Sequence, residues 1–290
     1  MQQVDRSKLW TAVCGALMLA LFFWSAAVRG VAKAQDASSA DLCGAAPSPS
    51  IPPILKLDDA SLKLSATAMI RGDYVEMIRI VRPLAEAGNA QAQYNLATLY
   101  DAGQGVGQDH QQAVHWYELS AEQGYPFAEY NLAAHYADGE GTTPDHSKAA
   151  IWLRKAADHG VAMAQFGLAR LYIEGQGVSK DYGAARNWAS NAADQGLAEA
   201  QFTLAILYAE GPPGVPKDHV KALMWADLAL TRFTPKEAAR RQVAQRDRDV
   251  LFVELSPKAR ADAVNLEHAW LAGHKPCPAT QRLFSQSEGN

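Results

Sequence analysis

Cysteine is scarce. The 290-residue chain holds three, Cys14, Cys43 and Cys277, and none falls in the long body between the last two, so that body is no disulfide-stapled scaffold. Positive charge is not in excess either. Lys and Arg number 27 against 31 Asp and Glu, a net charge of −4, and no basic stripe is there to track a phosphate backbone. Nucleic acid is therefore not the expected partner. Alternating β-branched runs and Asn-Gly hairpin signals are missing, which leaves an all-α fold as the expectation. Gly-x-Ser-x-Gly does not occur, and no serine is followed by lysine three residues on. Neither His-Glu-x-x-His nor paired-cysteine spacing is found. No catalytic residue, cofactor or metal is expected.

What is present is a repeat. Leu132, Tyr136, Gly139, Gly141, Asp145, Ala149, Trp152, Ala157 and Gly160 form a framework of aromatic, small and turn residues. Thirty-six positions earlier stand Leu96, Tyr100, Gly103, Gly105, Asp109, Ala113, Trp116, Ala121 and Gly124; thirty-six later stand Leu168, Tyr172, Gly175, Gly177, Asp181, Ala185, Trp188, Ala193 and Gly196. A fourth copy runs Leu204, Tyr208, Gly211, Gly214, Asp218, Ala222 and Trp225, with one residue inserted at Pro212-Pro213. Such a period signals stacked supersecondary units. In the first copy Ala92, Leu96 and Tyr100 recur every four residues, one stripe of a helix from about Ala90 to Asp101. Glycines then turn the chain, Asp109 stands where an N-cap is needed, and Gly124 ends a second helix. Pro126 suits the first position of the next helix. Trp and Tyr are expected to be buried against Ala, where helix axes approach to about 8–10 Å.

The flanks differ. Arg6 and Lys8 precede an uncharged run from Leu9 to Val28 and then Ala32-Lys33-Ala34, the order of a secretory signal cleaved after Ala34. A retained single-pass anchor is the alternative, since about 20 apolar residues span a bilayer. Either way the repeats are expected outside the cytoplasm, periplasmic or exported, with membrane contact only through an uncleaved segment. Residues 35–56 read as a flexible Ala/Ser/Pro linker. Residues 57–233 hold a degenerate first unit and four full repeats. In the first unit Leu57, Leu64, Ala68 and Ile70 suit one helix, and Val75, Ile78, Val81, Leu84 and Ala85 a second after the Arg71-Gly72-Asp73-Tyr74 turn. Residues 234–290 leave the period: Thr234-Pro235-Lys236-Glu237 is a capping box opening a helix to about Glu254, and Ser256-Pro257 opens another. These helices are expected to cover the last repeat. Cys43 and Cys277 flank the array, and the ends of such an array stand apart, which argues against their pairing.

The framework resembles the Sel-one-like repeat family of the tetratricopeptide superfamily, on the pattern Ala, Leu-Ala, Tyr, Gly-x-Gly-Val, Asp, Ala, Trp, Ala-Ala and closing Gly. Val106 and Val178 fill the Gly-Val slot, while Thr142 departs from it and the insertion moves it to Val215. The resemblance implies a right-handed superhelical solenoid of antiparallel helix hairpins that binds peptides or protein surfaces. It implies no single activity. Some exported relatives linked to penicillin binding or β-lactamase activity carry paired cysteines in each unit, which this chain lacks.

Comparing the four copies with one another locates a candidate partner face. Four first-helix positions vary: Gln91/Phe127/Met163/Glu199, Asn95/Asn131/Gly167/Thr203, Thr98/Ala134/Arg170/Ile206 and Ala102/Asp138/Glu174/Glu210. Their offsets of four, three and four place them on one helical face. In related tetratricopeptide proteins that face lines the concave groove, with an Asn at the position of Asn95 and Asn131 holding a peptide backbone. The expected groove residues are Gln91, Asn95, Thr98, Phe127, Asn131, Met163, Arg170, Glu199 and Thr203. Asp-His recurs at 109–110, 145–146 and 218–219, but successive units lie too far apart for these histidines to share one ion, so they read as helix-start residues. The expected function is a non-enzymatic adaptor in the cell envelope. An exported hydrolase acting on cell-wall or β-lactam substrates is the competing class, and a spacer positioning its own anchor a third.

Overall fold

The repeated Asp sets where every second helix begins. Asp109 and Asp145 accept backbone N–H bonds from the residues two and three further on, and Asp73, Asp181 and Asp218 from the residue three further on, at 2.9–3.1 Å. The amide of Asp109, Asp145, Asp181 or Asp218 in turn donates to the carbonyl of the framework Tyr of its unit, closing the loop. Gly103, Gly139, Gly175 and Gly211 end the first helices in the left-handed conformation, with φ between 63° and 75°.

The computed structural model describes residues 59–274, all within the unit Ser48–Lys275. The other unit, Met1–Pro47 with Pro276–Asn290, lies outside them. The export segment 1–34, the linker 35–56, Leu57 and all three cysteines are therefore beyond the described residues. Twelve α-helices follow one another among those residues: α1 (Asp59–Ile70), α2 (Tyr74–Glu86), α3 (Ala90–Ala102), α4 (His110–Glu122), α5 (Pro126–Asp138), α6 (His146–Asp158), α7 (Ala162–Glu174), α8 (Tyr182–Asp194), α9 (Ala198–Glu210), α10 (His219–Arg232), α11 (Ala238–Glu254) and α12 (Pro257–Gly273). The fold is an all-α solenoid of antiparallel hairpins, each helix from α1 to α10 packed on the next, with α11 and α12 both packed on α10. The Thr234 capping box forms, but first as a 3₁₀ turn, Pro235–Glu237, that leads into α11.

A buried glutamine ties the stack in three of the four full hairpins. Gln93, Gln165 and Gln201 each donate from Nε2 to the carbonyl eight residues earlier, at 3.1–3.2 Å, linking the first helix to the one before it. Thirty residues on, Gln123 and Gln195 donate back to Gln93 and Gln165 at 2.7 and 2.8 Å. The second hairpin has Glu129 in this place, 1% exposed, facing His159 Nδ1 at 2.8 Å. The second loop glycine serves close packing: a Cβ on Gly141 would run into the His110 carbonyl, and one on Gly177 into that of His146. Each loop thus rests on the start of the previous hairpin's second helix.

Two packing expectations need correction. Leu96, Leu132, Leu168 and Leu204 are fully buried, as are the recurring alanines, but Trp116, Trp152 and Trp188 are only half-buried. Lys155 Nζ lies 3.9 Å from the Trp152 centroid and the Arg154 guanidinium 5.8 Å from that of Trp188, while the His115 ring meets Trp116 edge-on at 5.3 Å. Trp225 is buried because α12 supplies a cover: the Trp270 ring meets it edge-on at 5.8 Å, and Trp270 Nε1 donates to Asp194. At the other end Leu64, Ile70 and Val75 point outward, and Met77, Val81 and Ala85 form the core with α3. An end hairpin has a neighbour on one side only.

Candidate functional site

The variable face emerges on the first helices. Gln91, Asn95 and Thr98 lie on α3, Phe127 and Asn131 on α5, Met163 and Arg170 on α7, Glu199 and Thr203 on α9, and none is part of the fully buried core. Phe127, 41% exposed, is the one exposed Phe, Tyr or Trp among the described residues. It caps a group of half-buried rings: Tyr94 and Tyr125 are 5.1 Å apart by centroid and lie 6.3 and 6.0 Å from Phe127. Periodicity alone assigned Tyr94 and Tyr125 no role. The signal was available in the run Tyr125-Pro126-Phe127, whose aromatics flank the helix start.

Elsewhere the face is engaged internally. Asn131 Nδ2 donates to the Tyr117 hydroxyl at 3.1 Å, so its amide serves the junction between α4 and α5. Arg170 pairs with Glu174 at 3.1 Å across one helical turn. Glu199 accepts from Arg240 at 2.9 Å, and burial, reinforced by the Glu237 carboxylate, lifts its pKa. The tail therefore straps the face of the last hairpin. Thr98 and Thr203 bond back to carbonyls of their own helices. The accessible stretch is concentrated at α3 and α5.

A second cluster lies at the loop ends of the same helices. Asp101 Oδ1 is 2.8 Å from His110 Nδ1 and 3.4 Å from His135 Nε2, while His135 Nδ1 is 2.9 Å from the Glu140 carbonyl. Burial opposes the Asp101 charge, but the hydrogen bonds and charges of His135 and His110 outweigh it and hold the carboxyl below its usual range. Burial likewise opposes the His135 charge, and Asp101 and the Glu140 carbonyl outweigh it upward. Tyr117, fully buried, lies 5.4 Å from His135 by ring centroid with the rings tilted at 41°, and burial raises its hydroxyl pKa well above the usual value. With the Glu140 carboxylate, the group offers four potential ligand atoms within 4.8 Å of one another. Only His110 belongs to the repeated Asp-His pairs; His135 stands where the other copies have Leu99, Leu171 and Leu207, a signal legible in the sequence.

Comparison with known proteins agrees with the architecture. A family model described as the Sel1 repeat matches residues 90–125, 126–161, 162–197 and 198–231. A crystal structure of a Sel1 repeat protein from Oxalobacter formigenes is 26% identical, with a TM-score of 0.57, covering 70% of this chain and 92% of its own. A protective antigen of uropathogenic Escherichia coli displaying an SLR fold is 27% identical, with a TM-score of 0.50, over 78% of this chain and 55% of its own. No curated protein sequence matches. Among the described residues no helix is long and apolar enough to cross a membrane. Proteins of this repeat type are generally protein-interaction scaffolds. Four matched repeats at the 36-residue period, stacked as hairpins like those of the solved relatives, make this chain a member of the Sel1-like repeat family.

Proposed function

We propose that the protein is a non-enzymatic scaffold of the cell envelope that holds a partner protein or peptide along the first-helix face. The observation that carries this reading is Phe127, exposed at the centre of an aromatic group beside the polar Gln91 and Asn95, on the face that varies between otherwise near-identical repeats. Exposed aromatics flanked by hydrogen-bonding side chains are the composition of an interface anchor. Asn95, Phe127 and Met163 make the primary contacts; Asn131, Arg170, Glu199 and Thr203 shape the surface from within the internal bonds described above. The basic, apolar and small-residue order of residues 1–34 supports export, with the repeats outside the cytoplasm.

A photo-crosslinking residue at Asn95, at Phe127 or at Asn187, which is exposed on the second helix α8, tests this in cells. The same discrete adduct is expected from Asn95 and Phe127 and not from Asn187. Equal labelling from all three sites would overturn the assignment of the face.

A further inference from the structure

The junction between the first two full hairpins is filled differently from its counterparts. Moving 36 residues on from Asp101, His110, His135 and Glu140 leads to Ala137, His146, Leu171 and Gln176, and 72 residues on to Ile173, Tyr182, Leu207 and Pro212. At the latter junction Ile173 and Leu207 are buried together, with Tyr182 packed on them. A core leucine has become His135, still only 6% exposed, and the small or apolar residue facing it has become Asp101. Placing polar groups where the architecture accepts apolar ones is costly unless they gain specific partners. This junction collects two such groups, Asp101 and His135, beside His110 and Glu140.

We propose that Asp101, His110, His135 and Glu140 form a binding site for a divalent transition-metal ion of the zinc type, which clamps the first two full hairpins together. Zinc bonds of about 2.0–2.1 Å to nitrogen place tetrahedral ligands about 3.3 Å apart. The four donor atoms already lie within 4.8 Å of one another, and the Asp101 oxygen is 2.8 and 3.4 Å from the two imidazole nitrogens. Closing the set onto an ion requires the farthest pair to approach by at most about 1.5 Å. His135 is already oriented as a ligand, because its Nδ1–H donates to the Glu140 carbonyl and its Nε2 points at Asp101, where a metal ion would take the place of the Nε2 proton. Two neutral imidazoles and two carboxylates balance a dication, and imidazole selects zinc-like ions over calcium and magnesium, which take oxygen ligands. The fold delivers the ligands from two stacked loops. Asp101 ends α3, His110 starts α4, His135 lies in the last turn of α5, and Glu140 precedes Gly141, whose backbone rests on that of His110. The distance argument against sharing one ion still holds for His110 and His146, because His146 is not in the set.

Zinc titration of the chelator-stripped full chain, read by calorimetry, bound-metal content and thermal melting, tests the site. One ion per chain and a raised Tm are expected. Asp101→Ala and His135→Leu, which borrow the residues of the neighbouring junction, should each weaken zinc binding about tenfold or more while keeping the helical circular dichroism. His146→Ala should bind as the parent does. If His135→Leu does not fold, Glu140→Gln in the loop gives the same readout. A parent chain that takes up no zinc at micromolar concentration, or an Asp101→Ala/His135→Leu chain that still binds one ion with parental affinity, overturns the site.

Discussion

At the scale of single residues, neighbours decide what an identical framework position contributes. Trp152 and Trp225 occupy the same place in their repeats, yet only Trp225 is covered, by Trp270. Trp225→Ala should therefore cost about 3–5 kcal/mol, as large buried aromatics do, and Trp152→Ala distinctly less, which paired denaturant melts would resolve. Glu129 is the converse case. Three copies use a glutamine amide to donate across the hairpins, and a carboxylate has no proton for that bond. Burial raises the Glu129 pKa from 4.5 despite His159. A raised carboxyl pKa contributes stability that is full below the unfolded value and declines as pH rises through the folded one. Glu129→Gln should accordingly melt near the parent at about pH 4 and gain about 1 kcal/mol over it at about pH 8. The identity of these positions was legible from the 36-residue comparison. The bond partners of Glu129, the internal engagement of Asn131 and the half-exposure of Trp152 were not, because each depends on how adjacent hairpins meet.

At the scale of elements, the helices follow from punctuation that the sequence writes openly. Asp at each second-helix start, glycine after each helix from α1 to α9 and Pro126 at a helix start all took the places that spacing assigned them. Spacing does not distinguish why a glycine is needed, and the structure does. Gly160 has φ +85° with open space around it, whereas Gly141 has φ +72° and lies against the His110 backbone. Gly160→Ala should cost about 1 kcal/mol from backbone strain alone. Gly141→Ala adds a collision between hairpins and should cost at least twice as much, measured by chemical denaturation of both variants. The 3₁₀ start of the tail and the outward turn of Leu64 and Ile70 escaped sequence reasoning. Both arise at ends of the array, where the repeat no longer dictates the neighbour.

At the scale of the whole molecule, cohesion is between successive elements, so stability is expected to vary along the array. Ending the chain before Ser256 removes α12, uncovers Trp225 and breaks the Trp270–Asp194 bond. Amide exchange in that shortened chain should accelerate in α9 and α10 while α3 to α6 keep their protection; uniform acceleration would mean one cooperative unit instead. The solenoid class could be read from the period and its helical cap from the Thr234 and Ser256 start signals, whereas the proposed partner face could be read only as a set of variable positions. Periodicity shows which positions vary, but whether a variable side chain is bonded within the chain or left to solvent is settled by three-dimensional neighbours such as Arg240 and Tyr117.

The Arg240–Glu199 strap also sets a ruler. With the fourth hairpin spoken for, the footprint open to the proposed partner runs over the first three full hairpins, from α3 to α7. An extended peptide advances roughly 3.3–3.6 Å per residue, so a short segment is enough to cross three hairpins. The proposed role then calls for a guest recognised by a short motif, and whatever follows that motif must lift away from the array before it reaches the tail.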